Sequence, residues 1–528
     1  MNKTLLQQWI GKWPEIRSAQ PLTQGEGVID QAAFDSVEVE ALFTAVNHAT
    51  TTVGQAVLFR SLAQPLANKE LIDNKQAALK ELEENPALKE QLENIISTAA
   101  EGEKEFYLLL FGDFIGSMGT VRNEHQIEGF GYQQYIRGTR FMLQFVDRIQ
   151  ALERPKSIYL KAIFEKIKQF SDSRPYDLMQ GPVYLSEQGI QSKLERKEKF
   201  TPAVIFRPTL FKPLLFAIII GSIWLFMNLL APGLFTSNSS TPFTAVFFVP
   251  LLLIYIPIVG GFDRDKAVIP LRNIYKESIE TANALDALGQ LDELLSFNKY
   301  AESFGSSMNL PEMTTANHHQ LNLSKAKNPI LGKGNQDYVG NDIDLIKNRM
   351  IFITGPNSGG KTAFCKTVTQ IQVLAQIGCY VPCDSATLSI ADSINYQAPE
   401  ISHLDDGEGR FGTELKRTKN IFLNCSEQSL VVLDELSEGT TFEEKMATSI
   451  TVLDGFYKKG CSVLLITHNH QLVDHYIEKN IGLAKQAEFS GDAPTYKFIP
   501  GISRVSHADR IARKIGFAKA DIENYLNK

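Results

Sequence analysis

The sequence predicts an α/β nucleotide-binding domain at the carboxyl end, a helical domain at the amino end, and a pair of membrane-spanning helices between them. Three observations carry this expectation. A phosphate-loop motif directly follows an apolar run, charged amphipathic runs fill residues 1–200, and residues 213–262 contain no Asp, Glu, Lys or Arg.

The phosphate loop comes first because its chemistry is the most restrictive. Gly355-Pro356-Asn357-Ser358-Gly359-Gly360-Lys361-Thr362 fits G-x-x-x-x-G-K-[ST] and follows Met350-Ile351-Phe352-Ile353, which reads as a buried strand. A strand delivers the chain to a tight turn, glycines let backbone N–H groups close around phosphates, and the next helix points its positive end at them. Lys361 is expected to reach the β and γ phosphates. Thr362 is expected to put its hydroxyl on Mg²⁺, a hard cation that needs few protein oxygens once phosphates and water are bound.

A second apolar strand, Ser429-Leu430-Val431-Val432-Leu433, ends in Asp434-Glu435. In a nucleotide site Asp434 would hold Mg²⁺ through water and Glu435 would orient or deprotonate the attacking water, because phosphoryl transfer depends on positioning and charge stabilisation. A solvated acidic loop is the alternative for this pair taken alone. A third strand, Ser462-Val463-Leu464-Leu465-Ile466, ends in Thr467-His468, which places a His where the γ-phosphate or attacking water would lie. A lone His is more often structural; three strands each ending in a polar group at one edge of an inferred parallel sheet favour the functional reading.

Together the segments GPNSGGKTAFCKTVTQIQVLAQIGCYVPC, VVLDELSEGTT and LLITHNHQL resemble the ATPase domain of the MutS family of DNA mismatch repair proteins. That family carries G-P-N-x-G-G-K-[ST], I-G-x-[FY]-V-P, D-E-x-x-x-G-T and T-H in this order; Ile377-Gly378-Cys379-Tyr380-Val381-Pro382 is the second of these. Tyr338-Val339-Gly340-Asn341-Asp342 is similar to the family's [FY]-[VI]-x-N-[DP], whose aromatic packs on adenine. Tyr338 is therefore the candidate for stacking, an exposed loop Tyr being the alternative. Upstream, Thr51, Gly54, Leu58, Leu62 and Pro65 resemble the start of the MutS core, and Leu42, Val46, Val53, Val57 and Leu62 also form an apolar stripe that Pro65 ends. The resemblance implies ATP and Mg²⁺ as cofactors and a homodimer with hydrolysis at its interface. It also implies lever arms moved by the nucleotide state and double-stranded DNA as partner.

The departures shape the expectation equally. A chain of 528 residues leaves no room for a mismatch-reading domain ahead of the core, and no F-x-E tripeptide stands near the start. The family's signature loop is shortened to Glu408-Gly409-Arg410-Phe411-Gly412-Thr413-Glu414, with Phe411 in place of the usual Ser and Arg410 or Thr413 as substitute contacts to a partner subunit. Pro213 to Phe235 and Phe243 to Val259, separated by a polar turn, read as a transmembrane hairpin, since about 20 apolar residues span a bilayer. Lys193, Arg196, Lys197, Lys199, Arg207 and Lys212 precede it, which predicts a two-pass protein with both soluble parts in the cytoplasm. A buried apolar hairpin is the alternative, opposed by the missing charges. Met1 to Ala19 lacks the apolar core of a cleavable signal.

The expected organisation is therefore a helical MutS-core-like domain over 1–200, an inserted transmembrane helical hairpin over 205–262 and a returning lever helix over 263–325. A P-loop ATPase domain of MutS/ABC type follows over 326–528 and ends in a helix-turn-helix, so the whole is an α/β P-loop domain joined to an all-α lever domain. Composition fits a folded chain at 44% hydrophobic and 21% charged residues, and a net charge of -7 gives no global pull toward nucleic acid. Five cysteines without a paired C-x-x-C point to a reduced compartment rather than a metal site. Two functions fit: a MutS-type ATPase with a role in mismatched-DNA binding and repair, or a membrane-anchored ATPase switch that does not bind DNA. A transporter ATPase fits less well, because no L-S-G-G-Q precedes Asp434.

Overall fold

The computed structural model describes residues 27–116, 130–187, 189–196, 203–204, 206, 222, 263–399, 409–436, 442–491, 493–504, 512 and 515–526. They fall into two units. Those within 49–55 and 82–292 form the first, and those within 27–48, 56–81 and 293–526 form the second.

The amino-terminal half is helical between short strands. Along the chain come α1 (Gln31–Ser36), α2 (Val39–Val46), α3 (Thr52–Ala63), α4 (Lys69–Glu84) and α5 (Pro86–Phe111), then α6 (Tyr132–Gln150), α7 (Ile158–Ser171), α8 (Arg174–Gln180), α9 (Ile269–Glu277) and α10 (Ile279–Ser303). Strands β1 (Phe114–Gly116) and β2 (Phe130–Gly131) pair in parallel, and β3 (Tyr184–Ser186) with β4 (Gly189–Gln191) antiparallel. Helix α5 starts where its sequence dictates: Pro86 occupies the first turn and Asn85 Oδ1 accepts from Leu88 N at 3.1 Å. Its stripe Leu88, Leu92, Ile95, Ala99 and Phe106 is buried. Gly138 on α6 lets the two helices close, since a Cβ there would lie 2.9 Å from the Glu105 carbonyl oxygen.

A buried polar knot holds the start of α3. The Asp292 carboxylate accepts from the Thr51 amide and hydroxyl, both at 2.7 Å, and from the Thr50 amide at 3.2 Å. Glu103 Oε1 accepts from Thr52 N at 2.6 Å. Free amides at a helix start attract carboxylates, so two distant acids cap one helix. A Cβ on Gly54 would lie 2.2 Å from Asp292 Oδ2, so any larger residue there would force the carboxylate to move.

Two expectations are corrected here. The fold is mixed α/β with sheets in both halves, not an all-α lever domain joined to an α/β domain, because residues 114–116 pair with 130–131, and 184–186 with 189–191, as strands. Strands of two or three residues are too short to leave a periodic signal. No helix among the described residues is long and apolar enough to cross a membrane, so the transmembrane hairpin and the two-pass membrane localisation are not supported. Helices α5 and α10 have the length, but charges recur along both, from Lys89 to Glu105 and from Glu280 to Glu302. Nearly all of 205–262 lies outside the described residues.

The second unit is built on a six-stranded sheet. Its strands are β8 (Met350–Thr354), β10 (Ile394–Gln397), β11 (Leu430–Asp434), β12 (Ser462–Ile466), β13 (Leu483–Ser490) and β14 (Ala493–Pro500), in the order β10-β11-β12-β8-β13-β14. All neighbours are parallel except β13 and β14. Strands β8, β11 and β12 are buried throughout, as parallel strands covered on both faces require. A second sheet, β5 (Glu312–Thr314), β6 (Leu321–Ala326), β7 (Asn341–Asp344) and β9 (Ser385–Ser389), runs β5-β9-β6-β7. The helices of this unit are α11 (Lys361–Gln376), α12 (Gly409–Asn424), α13 (Phe442–Lys459), α14 (His470–Glu478) and α15 (Lys519–Leu526).

Helix α11 is unusual in burying amide side chains, and each has a partner. Gln370 Nε2 donates to the Val37 carbonyl at 2.8 Å, Gln372 Nε2 to the Ser389 carbonyl at 3.0 Å, and Gln376 Nε2 to the Leu66 carbonyl at 2.9 Å. Leu66 N returns a bond to the Gln376 carbonyl at 2.9 Å. Buried polar groups cost heavily unless bonded, so these amides bind α11 to residues 27–48 and 56–81 of the same unit. Just beyond, Gly378 takes φ +75 and would place a Cβ 3.2 Å from that of Lys75, whose ammonium forms a buried pair with Glu293 at 2.7 Å. The Gly of the I-G-x-[FY]-V-P segment is thus fixed by backbone conformation and close packing together.

Candidate functional site

The site is assembled where three parallel strands end in register. Asp434 pairs with Ile466, and Ile466 with Ile353, so the carboxyl ends of β11, β12 and β8 lie side by side. Ligands of open α/β sheets bind at this edge.

The loop after β8 closes through glycine conformations and contacts. Gly360 takes φ +80, which a residue with a side chain rarely adopts. A Cβ on Gly359 would stand 2.6 Å from the Ala487 Cβ. Between them Asn357–Gly359 make a single 3₁₀ turn that leads into the first amides of α11. Lys361 Nζ donates to the Gly355 carbonyl at 2.7 Å and to Asn357 Oδ1 at 3.3 Å. Burial draws its ammonium down, opposed by the charges of Glu435 and Asp434. Pro356 and Ser358 stand in the same loop, Pro356 extended just before the turn.

Thr362 and Asp434 meet directly: the Thr362 hydroxyl donates to Asp434 Oδ2 at 2.9 Å. Burial pushes the Asp434 carboxyl up, the Thr362 bond pulls it down, and the neighbouring Glu435 charge adds to the rise. These are two hard oxygen donors at the foot of a phosphate loop, the donor set that suits Mg²⁺ shared with phosphate and water.

Glu435 has a non-glycine φ of +64, and its amide donates to the Ile466 carbonyl at 2.9 Å. Left-handed residues of this kind cost of order 1–3 kcal/mol and gather at functional sites. Its Oε1 lies 3.2 Å from His468 Nε2, and that nitrogen stands 2.7 Å from Asn357 Oδ1. Glu435, His468 and Asn357 therefore join the ends of all three strands in one cluster beside Lys361.

Tyr338 occupies a different wall. It is partly buried, and burial pushes its hydroxyl pKa up, opposed by Thr367 and Asn328. A cavity of about 380 Å³ lies between Tyr338, Val339, the Gly359–Gly360 backbone, Phe364 and Tyr496. That volume suits a small-molecule ligand. Tyr496 sits at φ +59 on β14, 3.3 Å from the position of a Cβ on Gly360. Asn341, the fourth residue of the Tyr338–Asp342 segment, holds β14: its Nδ2 donates to the Tyr496 carbonyl at 2.9 Å and its Oδ1 accepts from Phe498 N at 2.8 Å.

All the residues read from the phosphate loop, the acidic strand end and the T-H strand end come together here, and Tyr338 lines the adjoining cavity. Sequence reasoning missed Tyr496 and Phe364, whose one signal is aromatic alternation in Tyr496-Lys497-Phe498 and a ring four positions past Gly360. Phe411 and Thr413 lie in the first turns of α12, both partly exposed; residues 400–408 and 437–441, which include Glu408 of the shortened loop and the Gly-Thr of the acidic motif, lie outside the described residues, as does the Arg410 side chain. Of the expected helix-turn-helix, α15 is described and residues 505–511 are not. The five cysteines are free and buried.

Fold and site together define a P-loop domain on a parallel sheet. More narrowly, the chain carries a MutS-type domain, since residues 351–523 match the family model MutS domain V. Over 212 residues it is 32% identical to the DNA mismatch repair protein MSH3 of Scheffersomyces stipitis, covering 37% of this chain and 21% of that protein. It is 30% identical over 269 residues to Endonuclease MutS2 of Staphylococcus saprophyticus, covering 49% and 34% respectively. Against the DNA mismatch repair protein MutS of Lysinibacillus sphaericus it is 32% identical over 209 residues, covering 39% and 24%. The chain spans between about a fifth and a third of the length of these relatives.

Proposed function

We propose that the chain binds ATP with Mg²⁺ at the carboxyl edge of the β8–β12 sheet and hydrolyses it, as a MutS-type ATPase in DNA mismatch repair. The observation that carries this reading is the joining of two paired sets at one edge: Thr362 with Asp434 at 2.9 Å, and Glu435 with His468 at 3.2 Å. Lys361 and the 355–360 backbone would take the β and γ phosphates, Thr362 and Asp434 would hold the cation, and Glu435 would orient the attacking water with His468 beside it. The bound cation supplies charge neutralisation on the phosphate oxygens. Tyr338 and Tyr496 would receive the adenine in the aromatic cavity.

The likeness to relatives named for DNA mismatch repair supports a DNA role; a homodimer and nucleotide-driven lever movement complete this reading. The test uses a fluorescent ATP analogue and a duplex carrying one mismatch. Binding of the analogue that disappears in Lys361→Ala supports the nucleotide site. Duplex binding that falls steeply with added salt supports the DNA role, since phosphate contacts release counterions. A protein that binds no duplex at low salt would refute that role and leave the ATPase reading standing.

A further inference from the structure

Residues 28–46 bring a second set of groups to the helix that supports the nucleotide site. The Val28 carbonyl accepts from Ile394 N at 2.6 Å, Ser36 Oγ from Arg417 Nη2 at 3.3 Å, and the Val37 carbonyl from Gln370 Nε2 at 2.8 Å. These bonds fix the chain up to Glu38, and the bond from Leu42 N to the Glu38 carbonyl, 3.0 Å, fixes it beyond. Glu38 itself takes φ +61, in the left-handed region where a residue with a Cβ is strained.

What this turn accomplishes is the placement of one carboxylate. Glu38 Oε1 lies 2.8 Å from Lys366 Nζ. Lys366 follows Thr362 by one helical turn on the same face of α11, and Thr362 is bonded to Asp434. Long side chains on a helix lean back over the preceding turn, which carries the Lys366 stem toward Thr362 and its partner Asp434 while Glu38 holds the ammonium. With 54% of the Glu38 side chain exposed, the pair adds little to stability, which leaves its effect on position as the reason for a strained turn.

We infer that Glu38 is a positioning residue for the nucleotide site: it holds the Lys366 ammonium off Asp434 and so leaves that carboxylate to a divalent cation. The inference rests on the ATP and Mg²⁺ reading given above. Without the Glu38 charge, Lys366 turns to Asp434 and competes with the cation for it.

The test is binding of a fluorescent ATP analogue to the full-length chain, titrated with Mg²⁺. Glu38→Gln and Glu38→Asn both raise the Mg²⁺ midpoint by about threefold, the size an exposed ion pair supports. Asn tolerates the left-handed backbone, so agreement between the two variants assigns the effect to charge. Adding Lys366→Gln to Glu38→Gln returns the midpoint to the parental value or below. An unchanged midpoint in Glu38→Gln, a shift in Gln without one in Asn, or a double variant that stays shifted would each overturn the inference. A parental protein that binds the analogue with no dependence on Mg²⁺ would overturn the site reading itself and this inference with it.

Discussion

Two places in the molecule use the same three ingredients, a threonine, a carboxylate and a glycine at a helix start, and only one of them is open. At the start of α3, Thr51 gives its hydroxyl to Asp292, both residues are buried, and Gly54 sits so close to the acid that a Cβ would collide with it at 2.2 Å. At the start of α11, Thr362 gives its hydroxyl to Asp434, but Thr362 is exposed, and Lys361, Glu435 and His468 stand around the pair. The first arrangement spends its acceptors on the amides and hydroxyl around its own helix start. The second leaves its threonine at the surface. Residue types alone do not separate a structural knot from a candidate reactive site; enclosure does.

The comparison can be broken at either end. The largest expected effect is on chemistry at the open site: Glu435→Gln lowers single-turnover ATP hydrolysis by about a hundredfold or more while analogue binding and thermal melting stay parental. Hydrolysis at the parental rate would remove Glu435 from its assigned role.

Next comes a pH effect at the closed knot. Burial raises the Glu103 carboxyl from 4.5 to about 7, against the bonds it accepts from Thr52 and Val53. A raised acid binds its proton more tightly folded than unfolded, so its contribution is fully present below pH 4.5 and is lost as pH rises to about 7. The change across that window is of order 3 kcal/mol, and Glu103→Gln should flatten it in urea unfolding measured from pH 4.5 to 7.5. A parental slope in that variant would mean the knot does not titrate.

Gly54→Ala should cost about 2 kcal/mol of stability by the same unfolding measurement, because Asp292 must move off its four bonds, with nucleotide binding unchanged. The smallest effect belongs to the cavity wall. Tyr338→Phe keeps the ring and loses only the partly buried hydroxyl, so analogue affinity should hold while stability changes by no more than about 1 kcal/mol. Tyr338→Ala, which loses the ring, should weaken the analogue severalfold. Equal affinity in both variants would place the base elsewhere.

How much of this was legible in the sequence follows from how local each feature is. The strand, loop and helix around Gly355–Lys361 lie within about thirty residues, so spacing and residue type display them directly. Tyr496 was illegible because it comes back to Gly360 across β13 and β14, and only the Asn341 bonds place it there. The glycine of Thr51–Gly54 was visible as a family feature, yet its cause, Asp292, stands far along the chain. The hairpin expectation rested on composition in 213–262, which reports a wish to avoid water and not which surroundings satisfy it. The short strands at 114–116 and 184–191 were hidden because two or three residues carry no period.

The amides buried along α11 bear on how small this P-loop domain can be made. A fragment cut to begin at residue 326 would keep every phosphate-loop and strand-end residue, yet Gln370 and Gln376 would lose the Val37 and Leu66 carbonyls that satisfy them. Each orphaned amide would cost about 1–3 kcal/mol inside the fold, enough together to erode the margin of an ordinary domain. Autonomy therefore belongs to a discontinuous piece of chain, in which about fifty residues from the amino-terminal part, 27–48 and 56–81, are as much part of the P-loop body as the helix they brace.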